Sequence, residues 1–325
     1  MTFIDLFSGI GGFRIALESL GLTCVYSCEK DPKTAQLYEK NFSDNPLGDV
    51  TEIDAKTLPN FNILCAGFPC QSFSVAGKQQ GFNDTRGTMF FEICRILKEK
   101  QPEIVFLENV KNLSTHDKGR TLSVILNNLT ELGYKVSYEV LNAKDFGVPQ
   151  NRERTIIVGM KKTCFNFEKI TKTATVLPLR NFLDTDQDFT YLNPTEYTLL
   201  ETPKKQPKSG LIFTGYRNKT PRQKGITNLD FTLSRVHKQP NRIYSIDGTH
   251  PTLSSQEISG RYFILTENGV RKLTINECYR IMGFPETFKK DADISTLYKC
   301  IGNSVCVPMI TEIAKQILIQ YTETK

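Results

Sequence analysis

The chain reads as an α/β protein, a mixed, mostly parallel sheet flanked by helices, joined by a smaller and mainly β domain. Three observations predict this. Residues 3–7 form an apolar run that passes through a glycine turn (residues 8–12) into a helical pattern over 13–20, ended by Gly21. Two further apolar runs, residues 63–66 and 104–107, are short enough to be buried strands, and helical patterns over 88–100 and 121–132 follow them. The stretch 184–269 breaks this alternation, being rich in turn residues and in positive charge.

With 325 residues the chain can bury one good-sized core or a main domain with a smaller companion. Its 23% charged and 39% hydrophobic residues are those of an ordinary globule, and no apolar run approaches membrane-spanning length. The first residues lack the basic and apolar regions of a signal peptide, so a cytoplasmic location is expected. Nine cysteines without a CxxC pair, and only three histidines, favour reduced thiols over a metal site or a disulfide framework. The net charge of +6 is unevenly placed: residues 203–242 hold ten basic side chains against Asp230 alone, which leaves the remainder of the chain at −3. A local excess of this kind suits a polyanionic partner.

The first strand, turn and helix make a ready site for a nucleotide-like ligand. A dinucleotide fingerprint would place a third glycine near Arg14, and its absence disfavours a nicotinamide cofactor. A second apolar stretch, residues 23–28, ends at Glu29, about 20 residues past the glycine turn, where a ribose-binding carboxylate belongs. Asp31 and Pro32 then cap and start a helix, and a third acid, Asp49, sits between Gly48 and Val50.

The run 63–66 stops at Gly67 and delivers Cys70 beyond the carboxyl end of a strand, the edge at which open α/β sheets hold ligands. Pro69 stiffens the backbone beside the thiol, and Gln71, Ser72 and Ser74 supply polar groups near a thiolate, the attacking form of cysteine. The polar segment 75–87 carries three glycines and has the makings of a lid with cations for phosphates. Glu108 is set at the end of the run 104–107, on the same edge as Cys70, as a candidate general acid. Residues 150–158 read as a strand whose two-residue period puts Gln150, Arg152 and Arg154 on one polar face.

The segment Gly67-Phe68-Pro69-Cys70-Gln71-Ser72-Phe73-Ser74 resembles the nucleophile motif of the DNA cytosine-5 methyltransferases of bacterial restriction-modification type. Asp5-Leu6-Phe7-Ser8-Gly9-Ile10-Gly11-Gly12, Glu108-Asn109-Val110, Gln150-Asn151-Arg152-Glu153-Arg154 and Gly302-Asn303-Ser304-Val305 match further motifs of that family in order. The resemblance implies a Rossmann-like domain that binds S-adenosyl-L-methionine and a second domain that recognises double-stranded DNA. It implies that Phe7 stacks near the adenine, Gly9 and Gly11 admit the methionine part, Glu29 holds the ribose and Asp49 the adenine amino group. Ile10, Gly12, Lys30, Val50, Pro69, Asn303, Ser304 and Val305 complete the implied cofactor set.

For catalysis the resemblance implies Cys70 as nucleophile, Glu108 as acid, and Arg154 with Arg152 at the target base. For DNA it suggests Gln71, Lys78 and Arg86 near the nucleophile, and Arg217, Arg222, Arg235, Gln239, Arg242 and Thr252 in the variable segment. The expected division is 1–183 plus 301–325 for catalysis, 184–270 for target recognition and 271–300 as the connecting segment. A monomer working beside a cognate restriction endonuclease is expected. An RNA cytosine-5 methyltransferase of the tRNA type is disfavoured by the basic segment and by the Phe-Pro-Cys form of the motif. Intact Cys70, Glu108 and Arg154 disfavour a catalytically silent binder.

Overall fold

The computed structural model describes residues 1–69, 89–185, 187–218, 241–255 and 263–323. β1 (Thr2–Leu6), α1 (Gly12–Glu18), β2 (Thr23–Cys28) and α2 (Pro32–Phe42) open the chain. The helix α2 starts where sequence chemistry places it: Asp31 accepts from the Thr34 N–H, and Pro32 fills the first turn. β3 (Ile63–Gly67), α3 (Met89–Lys100), β4 (Ile104–Val110), α4 (Arg120–Glu131) and β5 (Lys135–Asn142) continue the alternation.

β6 (Gln150–Asn151) and β7 (Glu153–Met160) follow. The larger sheet has the order β2-β1-β3-β4-β7-β5; its first four strands run parallel, and β7 lies antiparallel between β4 and β5. Successive side chains feed opposite faces. Phe3, Cys65 and Phe106 join α1 in one core, while Ile4, Leu64 and Val105 join α3 and α4 in the other. Burial on both faces is why these strands appear in the sequence as unbroken apolar runs rather than as alternating ones.

One expectation is corrected here. Residues 150–158 are not a single strand, because the chain breaks at Arg152. Its N–H is taken by the Gln150 carbonyl (3.0 Å) and by the Asn142 side chain (3.0 Å) instead of by a ladder partner. Gln150 therefore leaves the sheet that holds Arg154, and the three polar residues do not share one strand face. β7 is paired on both sides, by β4 and β5.

β8 (Tyr197–Gln206), β9 (Leu211–Arg217), β10 (Arg242–Ser245), β11 (His250–Pro251), β12 (Phe263–Thr266) and β13 (Gly269–Lys272) follow. All but β11 form a second sheet of order β13-β12-β10-β9-β8, in keeping with the mainly β segment expected there. Phe213 and Tyr244 pack with Leu211 on this sheet, so these two aromatics of the basic stretch build a small core. β8 is an edge strand, and Lys204 and Lys205 stand exposed on it. β11 instead pairs with β6 in a separate two-stranded ladder, which holds the segment after β10 against the segment before β7.

The chain returns through α5 (Ile275–Arg280), α6 (Ile294–Asn303) and α7 (Val307–Thr322). Ile310, Ile313, Ala314, Ile317 and Tyr321 of α7 are buried in the core that contains α1, so the first and last helices belong to one body. Thr274 and Glu277 form a reciprocal capping box at the start of α5. The Glu277 carboxylate also accepts two bonds from Arg271, at 2.8 and 2.7 Å, in a fully buried setting. No helix among the described residues is long and apolar enough to cross a membrane.

Candidate active site

A cleft of about 570 Å³ opens at the carboxyl ends of β1, β2, β3 and β4, within the size range of small-molecule sites. At its near end the chain leaves β1 through Phe7 and Gly9, both with left-handed backbone (φ 56° and 57°). The Gly9 N–H donates to Glu29 Oε2 at 3.0 Å and the Asp31 N–H to Glu29 Oε1 at 2.8 Å. Glu29 is thus aimed by the backbone, with lone pairs left over for hydroxyl donors. Asp49 accepts from the Thr51 N–H and from Lys30, and the ammonium of Lys30, helped by that N–H, holds its carboxyl down to about 2.

At the far end, β3 and β4 lie in parallel register with Gly67 beside Glu108. Asn109 Nδ2 donates to the Phe68 carbonyl at 2.8 Å and pins the turn that carries Pro69. Glu108 Oε1 lies 2.9 Å from Arg154 Nε, with both side chains about one-tenth exposed. Arg154 reaches this position from β7, whose antiparallel register sets it opposite Val110. The antiparallel strand therefore brings a cation to an edge that parallel strands fill with acids.

Of the expected cofactor residues, Phe7, Gly9, Glu29, Lys30, Asp49, Val50, Pro69 and Asn303 line this one cleft, together with Glu108, Arg152 and Arg154. Ile10, Gly11, Gly12, Ser304 and Val305 stand behind its wall. Ile10 is core. A β-carbon on Gly11 would meet the Phe42 ring at 2.3 Å, and one on Gly12 would meet Val305 at 2.7 Å, so helix packing accounts for both glycines. Of the three glycines expected at the cofactor, Gly9 alone has open space where a side chain would start, its nearest neighbour being the Phe7 carbonyl at 4.0 Å.

The sequence reading left out Asn109, Lys299 and Ser255 from the lining. Lys299 had a signal: it stands one helical turn before Asn303, on the same face of α6. It pairs with Asp31 at 2.7 Å. Cys28 and Cys300 also line the cleft, and burial pushes their thiols up to about 12 and about 11, so neither is a thiolate at neutral pH. Cys70, Gln71, Lys78, Arg86, Arg222, Arg235 and Gln239 lie outside the described residues.

The remaining DNA candidates are spread over the second sheet. Arg217 ends β9, 3.5 Å from Glu196, and Arg242 lies over the Phe213 ring. Thr252 donates from Oγ1 to the Asn151 carbonyl at 2.7 Å, which uses its hydroxyl at the junction of the two sheets.

The sequence model of C-5 cytosine-specific DNA methylases matches residues 1–319. The chain belongs to that family. It is 41% identical over 329 residues to the Type II methyltransferase M.HhaI of Haemophilus parahaemolyticus, covering 98% of this chain and 94% of that protein. It is 42% identical to the Type II methyltransferase M.HpaII of Haemophilus parainfluenzae, covering 98% of this chain and 89% of that protein. Among solved structures, the methyltransferase EhMeth of Entamoeba histolytica superposes with a TM-score of 0.71 at 19% identity, over 99% of this chain and 98% of that one. At that identity the likeness speaks for the fold.

Proposed function

We propose that this DNA cytosine-5 methyltransferase binds S-adenosyl-L-methionine at the Phe7–Glu29–Asp49 end of the cleft and a flipped-out cytosine at the Glu108–Arg154 end. The observation that carries the reading is that both groups line one cleft, together with Pro69, the residue before Cys70. The residues fit the cofactor. Glu29 offers backbone-oriented acceptors to a ribose, the lack of a side chain at Gly9 leaves room beside it, and Asp49 stays ionised to accept from an amino group.

The cofactor supplies an electrophilic methyl group. Everything else falls to the chain. Carbon 5 of cytosine is a poor nucleophile, so the Cys70 thiolate adds to carbon 6, while Glu108 protonates or hydrogen-bonds N3 and the exocyclic amine and Arg154 holds O2. Addition turns carbon 5 into an enamine carbon, the form that can be methylated. Loss of the proton on carbon 5 and expulsion of Cys70 restore aromaticity. Because a stacked base hides its faces, the cytosine leaves the duplex at a cost of roughly a few kcal/mol.

Exposed Lys204 and Lys205 on the edge strand, with Arg217 and Arg242, would meet phosphates and position the duplex. The Type II names of the relatives support a partnership with a cognate restriction endonuclease. We propose that the chain acts as a monomer in the cytoplasm.

Titration calorimetry with S-adenosylhomocysteine tests the cofactor end. Glu29→Ala weakens binding by about 10- to 100-fold, the value of a hydrogen bond to a charged group. Unchanged affinity would assign the ribose to other residues.

A further inference from the structure

Arg152 lines the cleft with Glu108 and Arg154, yet its guanidinium is taken up by backbone carbonyls. It is 1% exposed. Nη1 donates to the Leu253 carbonyl at 3.2 Å, and Nη2 to the carbonyls of Gly302 at 3.1 Å and Ser304 at 2.5 Å. Leu253 lies just past β11 in the strap that leaves the second sheet, whereas Gly302 and Ser304 flank Asn303, which lines the cofactor end of the cleft. One planar cation thus joins two segments 50 residues apart, using carbonyls that a helix end leaves without partners.

The strap is fastened on its other side as well. Thr252 donates to the Asn151 carbonyl at 2.7 Å, and the Leu253 N–H donates to Gln150 Oε1 at 3.1 Å. At Gly302 the two segments meet backbone to backbone. A β-carbon there would lie 2.1 Å from the Ser254 carbonyl oxygen, so no side chain fits between them.

We infer that Arg152 is a positioning residue that couples the two ends of the site, so that a ligand held by the Gly302–Asn303–Ser304 turn sets the place of the strap at residues 252–255 and of the sheet from which it comes. This rests on the cofactor reading of the cleft given above. A ligand touching Asn303 restrains the turn; the turn holds Arg152 and Ser254, and the strap follows. By linkage the effect is reciprocal: DNA seated on the second sheet tightens the cofactor end by the same factor.

The test is a comparison of S-adenosylhomocysteine affinity with and without a short duplex that the unaltered protein methylates. For the unaltered protein the duplex tightens binding by about tenfold, a middling coupling. In Arg152→Met the two affinities converge, so their ratio falls toward one. Arg152→Lys, which keeps the charge but reaches fewer carbonyls, falls between. Arg152→Lys also carries the test if Arg152→Met does not fold. A simple loss of stability would lower both affinities together and leave their ratio alone. A ratio retained in the variants, or no coupling in the unaltered protein, overturns the inference. Failure of the unaltered protein to bind S-adenosylhomocysteine at all would instead refute the cofactor reading.

Discussion

Glu108→Gln lowers the turnover number by about 10²- to 10⁴-fold, the usual share of a general acid in a rate enhancement, with affinity for the target duplex nearly unchanged. The geometry makes this a clean substitution. Glutamine has the same shape, keeps an acceptor facing Arg154 Nε and stays between Gly67 of β3 and Ile156 of β7, so the cleft is not reshaped. It lacks the proton to give to N3. Because that proton matters only as charge develops on the ring, the loss falls on turnover rather than on binding. Methyl incorporation measured at saturating cofactor and DNA checks it. A variant that turns over within a factor of about ten of the unaltered enzyme, short of a general acid's share, would leave Glu108 as no more than a partner for Arg154.

The second large effect concerns stability. Arg271→Met costs about 3–5 kcal/mol, the range for breaking a buried ion pair from one side. Glu277 is fully buried, and it accepts from Arg271 twice, from the Thr274 N–H at 2.8 Å and from the Asp184 N–H at 2.9 Å. Removing the guanidinium leaves a desolvated carboxylate with only two backbone donors. It also removes the cation that sits 3.9 Å above the Phe189 ring. Adding Glu277→Gln to that variant removes the stranded charge, keeps an acceptor for the helix cap and restores part of the stability. Urea unfolding of both variants decides the matter. A loss below about 1 kcal/mol, the range of exposed pairs, would contradict the buried role.

Most of the scaffold was legible because its signals are local. Apolar runs over residues 23–28 and 63–66, the Asp31-Pro32 cap and the left-handed turn after Phe7 each depend on a few neighbouring residues, and the strands and helix formed within a residue or two of expectation. What was illegible came from distant segments. Arg152 looked like a strand residue beside Arg154, but Asn142, Leu253, Gly302 and Ser304 compete for its donors, and no pattern within 150–158 encodes them. Gly11 and Gly12 looked like room for a ligand, whereas Phe42 and Val305 arrive from elsewhere to fill it. The Glu108–Arg154 pair follows from an antiparallel strand entering a parallel sheet, a property of topology that motif spacing does not contain.

In the proposed mechanism a sulfur atom of this chain bonds transiently to a base removed from its helix. A duplex carrying 5-fluorocytosine at the methylated position tests it most directly, because fluorine cannot leave as the proton does and the covalent intermediate accumulates. Incubated with S-adenosyl-L-methionine, the protein should form a denaturation-resistant complex whose cross-linked peptide, by mass spectrometry, contains Cys70, and Cys70→Ser should form none. No adduct, or one formed through Cys28 or Cys300, would contradict the account.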